Sequence, residues 1–158
     1  MPIRVRRPAR SELPEIVRLW HAGWMEAHAA ITPLALTRLR TPDDFARRGN
    51  RHFDAMRVTG PKGSPDGLCI INGDELDQLY VAPQARGAGT AAALVRDAEA
   101  RLRDNGISGA RLLCAIGNDR AARFYEKMGW RHAGTVVAEL ETDEGPFELE
   151  TWLYEKDL

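Results

Sequence analysis

A glycine-rich turn between a predicted strand and a predicted helix restricts this chain more than any other feature of the sequence. The turn spans residues 84–90 (QARGAGT), and the strand pattern before it runs from Glu75 to Val81. Glycines let a backbone approach a ligand closely, and the free N–H groups in the first turn of the following helix favour an anion. The sequence therefore predicts a phosphate-binding turn in a protein that combines strands and helices.

The turn by itself leaves the phosphate ligand open. No Gly-Lys-Ser/Thr sequence follows it, so it differs from a triphosphate-binding P-loop. Gly87-x-Gly89-x-x-Ala92 fits the loose dinucleotide fingerprint, but a dinucleotide fold also needs an acid at the end of the next strand and further parallel strands. The next strand pattern, ARLLCAI, has no acid at its end. A glycine turn that serves only close packing is the other alternative.

The order of the predicted elements gives an α/β protein with a mixed (α+β) sheet. Ser11 and Thr41 are typical N-cap residues ahead of two helices, and Asn72-Gly73 is typical of a two-residue hairpin. We expect antiparallel edges and a parallel pair near the middle of the sheet. The predicted strands are residues 3–6, 68–71, 75–81, 110–116, 131–140 and 147–154, residues 60–67 form a break, and later helices start near residues 90 and 118.

The composition excludes several classes of protein. With 22 basic and 23 acidic side chains, the chain lacks the basic excess of a protein that coats nucleic acid. No apolar run has the length of a membrane span, and the basic N-terminal segment lacks the apolar stretch of a signal peptide. Cys69 and Cys114 lie in apolar runs, as buried thiols of a reducing compartment do. We therefore expect one cytoplasmic domain, residues 1–158, without nucleic-acid or membrane partners.

Two motifs resemble those of a known family. Residues 79–83 (LYVAP) followed by Gln84-x-x-Gly87-x-Gly89 look like motif A of the GNAT superfamily, the acyl-CoA-dependent N-acyltransferases, and residues 118–130 look like its motif B. The resemblance is sharpest over residues 75–130, although Gln84 replaces an arginine often found there. It implies a GNAT-like acyl-CoA N-acyltransferase fold, with a mostly antiparallel central sheet that contains a splayed parallel pair and is flanked by helices.

The resemblance also implies where acetyl-CoA, the expected co-substrate, would bind. Main-chain N–H groups of the glycine turn would hold the CoA pyrophosphate, with the Thr90 hydroxyl as an added donor. The pantetheine arm would enter the gap between the splayed strands, beside the main chain of Leu79 and Val81 and the side-chain amide of Asn118. For Asn118, capping of the last helix is an equal alternative. The turn residues concerned are Arg86, Gly87, Ala88, Gly89 and Thr90.

The same resemblance implies catalytic roles. Tyr125 stands where the family places its general acid, and a phenol with an ordinary pKa near 10 is protonated at neutral pH; aromatic packing is its alternative. The N–H of Val81 or Leu79 is the expected oxyanion donor. Glu75 and Asp77 project from one strand face, and Glu75 is the preferred base, although either residue could be a solvated strand end.

These features predict an N-acetyltransferase that moves an acetyl group from acetyl-CoA to a primary amine of a small molecule or peptide. The amine would attack directly in a ternary complex. A non-catalytic acyl-CoA-binding or regulatory module on the same fold is one alternative, and a nucleotide-dependent oxidoreductase is another. No metal site is expected, because His21 and His28 lack a further ligand. A homodimer is expected by family analogy only.

Charge is distributed unevenly along the chain. Residues 1–57 carry 11 basic and 6 acidic groups, whereas residues 132–158 carry 1 basic and 8 acidic groups. In a GNAT-like fold the acidic closing hairpin would lie near the acceptor, so its field predicts a cationic amine acceptor. The alternative is that the hairpin presents an ordinary solvated face.

Overall fold

The structure, a computed structural model, describes residues 2–158. Within that range no helix is long and apolar enough to cross a membrane. The helices are α1 (Leu13–His28), α2 (Leu34–Leu39), α3 (Pro42–Arg51), α4 (Thr90–Asp104) and α5 (Asp119–Lys127). The strands are β1 (Met56–Thr59), β2 (Gly67–Asn72), β3 (Glu75–Val81), β4 (Gly109–Ala115), β5 (Arg131–Leu140) and β6 (Phe147–Asp157).

The six strands form one mixed sheet in the order β1-β2-β3-β4-β6-β5. All neighbouring strands are antiparallel except β3 and β4, which are parallel. That parallel contact is limited to one residue pair, Glu75 with Arg111, whereas β4 pairs with β6 along its whole length. Strands β3 and β4 therefore diverge beyond Glu75 and leave a gap in the sheet. The predicted mostly antiparallel sheet with a splayed parallel pair is confirmed.

Strand β2 is buried on both faces, because helices cover both sides of the sheet. Leu68 and Ile70 pack with Trp20 of α1 and Phe45 of α3 on one side. Cys69 and Ile71 alternate with them and face a second cluster on the other side, which contains the apolar stripe of α4 (Leu94, Val95, Ala98 and Leu102). A strand between two cores reads as a continuous apolar run rather than an alternating one. The free thiol of Cys69 is completely buried there.

The helix starts show which capping prediction was correct. At α3 the Thr41 hydroxyl accepts a hydrogen bond from the Asp44 N–H at 3.2 Å, as predicted. At α1 the prediction of Ser11 as N-cap was wrong. A short 3₁₀ turn covers residues 10–12, and the Glu12 carboxylate accepts from the N–H of Ala9 at 2.8 Å.

Three further local predictions differ from the structure. The hairpin turn is Gly73-Asp74 rather than Asn72-Gly73, because Asn72 already pairs with Glu75. Gly73 takes the positive φ of 60° that the first central residue of such a turn needs. Residues 3–6 are not a strand, and only Arg6 forms an isolated bridge, to Val58. Strand β1 and helix α2 have no counterpart among the predicted elements.

Candidate active site

A cavity of about 950 Å³ occupies the gap between β3 and β4. Its wall is built from α1, β3, the glycine turn, the end of β4, α5 and the β5–β6 hairpin, with α3 at one end. Ala88 is the one predicted site residue that lies outside this wall. The predicted residues that line the cavity are Glu75, Leu79, Val81, Arg86, Gly87, Gly89, Thr90, Asn118 and Tyr125.

The glycine turn presents unused N–H groups at one end of the cavity. Gly87 and Gly89 have φ angles of 80° and 87°, which L side chains rarely adopt. A Cβ atom on Gly87 would meet no atom within 4 Å, so the backbone conformation and not crowding calls for glycine. No well-formed hydrogen bond within residues 2–158 takes up the N–H of Gly87, Ala88 or Gly89. The turn leads directly into α4, whose first N–H groups also lack partners.

Two polar groups that the sequence placed on the phosphate have other partners in this structure. The Thr90 hydroxyl donates to the Ala85 carbonyl at 3.2 Å and so ties the turn together, and its role as an added phosphate donor stays a prediction. The N–H of Arg86 donates to the Pro83 carbonyl at 3.3 Å. The Arg86 guanidinium forms a two-fold contact with Glu26 of α1 at 2.9 and 2.8 Å, which fixes it across the mouth of the gap.

A β-bulge interrupts β3 beside the gap. Ile70 pairs with Gln78 and Ile71 pairs with Leu76, so Asp77 is an extra residue with no partner in β2. A bulge of this kind shifts the alternation of the main-chain groups along the strand. The groups that face β4 therefore change from even-numbered to odd-numbered residues at this point.

This change directs main-chain groups of β3 that have no partner in the sheet into the cavity. Before the bulge, the Asp74 carbonyl accepts from the N–H of Arg111 in β4 at 3.0 Å. After the bulge, the N–H of Ala82 donates at 2.8 Å to a carbonyl at the β2 edge. Leu79 and Val81, three and one residues before Ala82, consequently turn their N–H and C=O groups toward the gap, where the Val81 carbonyl accepts from Arg86 Nε at 3.3 Å. These are the two residues named by the sequence motif.

The carboxylates of Glu75 and Asp77 share the cavity wall. Burial, followed by the charge of Asp77, raises the pKa of Glu75 to about 7. Burial also raises the pKa of Asp77, against the opposing charges of His52 and Arg48. A carboxyl whose pKa lies near neutrality can accept a proton and release it again under physiological conditions. The alternative of a solvated strand end does not describe this half-buried pair.

Helix α5 places Asn118 and Tyr125 on the opposite wall. The Asn118 side-chain oxygen accepts from the N–H of Ala121 at 3.3 Å and caps the helix, which leaves its side-chain nitrogen free for another partner. The ring of Tyr125 packs on Phe124 and Tyr154, with centroids 5.4 and 6.4 Å away. Its hydroxyl has no hydrogen-bond partner within residues 2–158, and burial raises its pKa. Tyr125 is thus both a packing residue and a protonated donor at the cavity.

Two arginines that no sequence motif points to, Arg40 and Arg48, also line the cavity. They are only 4% and 6% exposed. Both contact the same oxygen of Asp44, at 3.1 and 3.2 Å. Arg40, Asp44 and Arg48 follow one another at intervals of four residues. This spacing is the one signal in the sequence that could have revealed the cluster.

Two of the eight acids in the closing segment pair with residues at α3 and its C-terminal end. Glu141 pairs with Arg51 and His52, and Asp143 pairs with Arg47. These contacts bring together the basic first third and the acidic last segment of the chain. They neutralise part of the acidic segment, and the cationic acceptor stays a prediction.

The two histidines considered as metal ligands lie in aromatic surroundings. His21 packs against Phe45 with a centroid distance of 5.5 Å, and His28 lies between Trp24 and Tyr80. Burial lowers the pKa of His28 to about 4, so it is neutral at pH 7. Within residues 2–158 no group of three or more His, Cys, Asp and Glu side chains is arranged to hold a metal ion.

Comparison with known proteins finds similarity to acetyltransferases in part of the sequence and in the fold. Residues 67–130 match the model of the Acetyltransferase (GNAT) family. Over 136 residues the chain is 24% identical to the peptidyl-lysine N-acetyltransferase YjaB of Escherichia coli K12, covering 85% of this chain and 86% of YjaB.

Two solved structures show the same fold. A GCN5-related N-acetyltransferase from Rhodopseudomonas palustris has a TM-score of 0.77 and 18% identity, covering 100% of this chain and 97% of that one. PaiA N-acetyltransferase from Thermoplasma acidophilum, crystallised with coenzyme A, has a TM-score of 0.68 and 19% identity, covering 100% of both chains.

A parallel strand pair that opens beside a glycine turn, in a mixed sheet flanked by helices, is the architecture of the acyl-CoA N-acyltransferases. The family match covers the glycine turn and α5, and the fold likeness extends over the whole chain. The chain resembles the GNAT acetyltransferases through the family match over residues 67–130 and through its fold over the whole length.

Proposed function

We propose that this protein transfers an acetyl group from acetyl-CoA to a primary amine by direct attack in a ternary complex. The observation that supports this proposal most strongly is the gap between β3 and β4. Along one side it has main-chain groups of β3 that lack partners in the sheet, and at one end it has the free N–H groups of the glycine turn. YjaB acts as a peptidyl-lysine N-acetyltransferase, so the acceptor class includes peptide as well as small-molecule amines.

The residues of the gap fit the parts of acetyl-CoA. The pyrophosphate would accept from the N–H groups of Gly87, Ala88 and Gly89 and from the first turn of α4. The pantetheine amides would pair with the main chain of Leu79 and Val81 and with the side-chain nitrogen of Asn118. Acetyl-CoA supplies a thioester, whose carbonyl carbon is the atom that the amine attacks.

The proton transfers are assigned to residues on the two walls. Glu75, assisted by the adjacent Asp77, takes a proton from the incoming ammonium so that the neutral amine can attack. The N–H of Val81 or Leu79 donates to the oxygen as negative charge develops on it. The carbon–sulfur bond breaks, and the protonated Tyr125 gives its proton to the departing thiolate. The remaining proton on the new amide nitrogen leaves through water and restores the Tyr125 phenol, and Glu75 releases its proton to the solvent.

The experiment that tests this proposal measures thiol release from acetyl-CoA over a broad amine panel, together with CoA binding by calorimetry. We expect amine-dependent release, and we expect Tyr125→Phe to lower kcat by about 10²- to 10⁴-fold while CoA affinity is kept. Tyr154→Phe is the matched control, because that hydroxyl bonds Glu126 at 2.8 Å outside the cavity. CoA binding without turnover on any amine would identify a binding module, and binding of NAD in place of CoA would identify an oxidoreductase.

A further inference from the structure

The end of the cavity near α3 holds an unusual group of buried charges. Arg40, Asp44 and Arg48 are 4%, 0% and 6% exposed. The guanidinium of Arg48 lies over the rings of Trp20 and Phe45, at 4.6 and 4.7 Å from their centroids. This stacking holds the side chain in one orientation at the cavity wall.

The positive charges in this group exceed the negative ones. Arg40 and Arg48 share one oxygen of Asp44, and the only other acceptor of Arg40 within residues 2–158 is the neutral main-chain carbonyl of Glu141, at 2.6 Å. Buried charges normally have partners, because an unpaired buried charge costs free energy. One positive charge therefore remains uncompensated within this triad.

Several nitrogens of the two guanidinium groups have no acceptor. Arg40 Nε and Arg48 Nη2 are buried without a hydrogen-bond partner. Arg40 Nη2 and Arg48 Nη1 also make no hydrogen bond within residues 2–158, and neither is among the fully buried unpaired atoms. These two outer nitrogens are the parts of the guanidinium groups that a molecule in the cavity can reach.

No acidic side chain of the cavity supplies the missing partner. Asp77 influences Arg48 through its charge but forms no ion pair with it. Glu141 pairs with Arg51 and His52, and Glu139 is exposed at the rim. The anion that completes the site must then come from the ligand.

We infer that Arg40 and Arg48 bind a carboxylate of the acceptor, so that the acceptor is an amine that also carries a carboxylate. This inference rests on the proposed acetyl transfer. Guanidinium groups bind carboxylates through paired hydrogen bonds. The acid pair Glu75 and Asp77 lies in the same cavity and would receive the ammonium, so the cavity is complementary to a zwitterion.

Matched acceptor pairs test the inference. Each pair consists of an amino acid and its carboxamide, with α-, β- and γ-amino acids included so that different separations of the two groups are sampled. We expect kcat/KM to be about tenfold or more higher for the acid of the best pair, mainly through KM. Equal use of acid and amide in every pair would overturn the inference and leave acetyl transfer standing.

Variants assign the preference to the arginines. Arg48→Met keeps the aliphatic stem on Trp20 and Phe45 and leaves Asp44 paired with Arg40, so we expect a folded protein whose acid-to-amide ratio falls toward one. Arg48→Lys, which keeps the charge, should retain part of the preference. Arg38→Met is the control, because Arg38 is an exposed residue of α2 outside the cavity. An unchanged ratio in Arg48→Met would contradict the assignment.

A binding measurement does not depend on turnover. In the presence of CoA, calorimetry compares an N-acetyl amino acid with its amide, and we expect the acid to bind about tenfold more tightly. Tighter binding of the acid in the absence of any turnover would support the carboxylate site while acetyl transfer failed. Equal or tighter binding of the amide would overturn the carboxylate site.

Discussion

We expect the protonation state of Glu75 to determine how the activity of this protein depends on pH. Its pKa is raised to about 7 because the carboxyl is buried and because Asp77 lies close to it. A base works only when it is unprotonated. Activity should therefore be low at acidic pH and should rise as the pH passes through the raised pKa. The two carboxylates titrate as a pair, so the rise reports on both of them.

The corresponding prediction is a pH profile of kcat/KM. For the native protein we expect an acidic limb with an apparent pKa near 7, and for Glu75→Gln a large loss of activity at neutral pH. Glu150→Gln, an exposed strand residue outside the cavity, should keep the native profile. If Glu75→Gln kept both the rate and the limb, Glu75 would not be the base.

The roles of some residues could be predicted from the sequence, and those of others could not. Gly87, Gly89 and Tyr125 lie in motifs whose spacing sets their place, and the structure brings all three to one cavity. Arg48 could not be singled out, because 19 of the 22 basic residues are arginine and most of them are solvated. Its burial depends on the rings of Trp20 and Phe45, which the fold alone brings to it.

At the level of secondary-structure elements, the glycine turn is the clearest target. Alanine at Gly87 must adopt an unfavourable φ, at a cost of about 1–2 kcal/mol, or the turn must change shape and redirect its N–H groups. Gly145→Ala is a matched control, since Gly145 has a φ of 94° and open space around it but lies outside the cavity.

We expect Gly87→Ala to raise the Kd for CoA about tenfold or more, and Gly145→Ala to leave it unchanged. Calorimetry measures both affinities, and thermal unfolding shows whether the two variants lose similar stability. An unchanged Kd in Gly87→Ala would contradict the assignment of the turn to the pyrophosphate.

Helix α3 supplies a second prediction at this scale, which concerns stability. Asp44→Asn removes the carboxylate that two buried guanidinium groups share, so the free energy of unfolding should fall by about 3–5 kcal/mol. Asp43→Asn, on the exposed face of the same first turn, should cost only about 0.3–1 kcal/mol. Urea unfolding compares the two. Similar small losses in both variants would show that the buried ion pairs add little to stability.

Most elements could be predicted from local patterns, and the exceptions have physical reasons. Strand β1 is only four residues long and is recognised by its pairing with β2 rather than by its own sequence. The bulge at Asp77 is a matter of register between two strands, which a single strand pattern does not contain. The turn at Gly73 lies one residue later than predicted, because Asn72 already pairs with Glu75 in the sheet.

For the whole molecule, the near-zero net charge is the sum of a basic first third and an acidic closing segment, some of whose charges pair across the fold. The arginines of α3 face the acids of the closing hairpin, about 90 residues later in the sequence. The segment charges could be counted from the sequence, but their pairing could not. The cavity wall carries charges of both signs, the Glu75–Asp77 and Arg40–Arg48 pairs among them, rather than a field of one sign.

The divergence of β3 and β4 predicts how ligand binding should affect the molecule as a whole. CoA at about 100 times its Kd should stabilise the fold by about 2.7 kcal/mol. Hydrogen exchange should slow at the main-chain N–H groups of Leu79 and Val81, which lack partners in the sheet. The ladder between β4 and β6 is already complete and serves as the internal control. Equal slowing at every strand would indicate general stabilisation without insertion into the gap.

The single residue pair that joins β3 to β4 also bears on the lifetime of the protein in a cell. Proteases act on opened chains, and the population of opened chains falls as a ligand occupies the folded state. A small molecule that fills the gap between the two strands would therefore protect the protein from degradation. The abundance of the protein should then follow the supply of its acyl donor, rising when that metabolite is plentiful and declining when it is scarce.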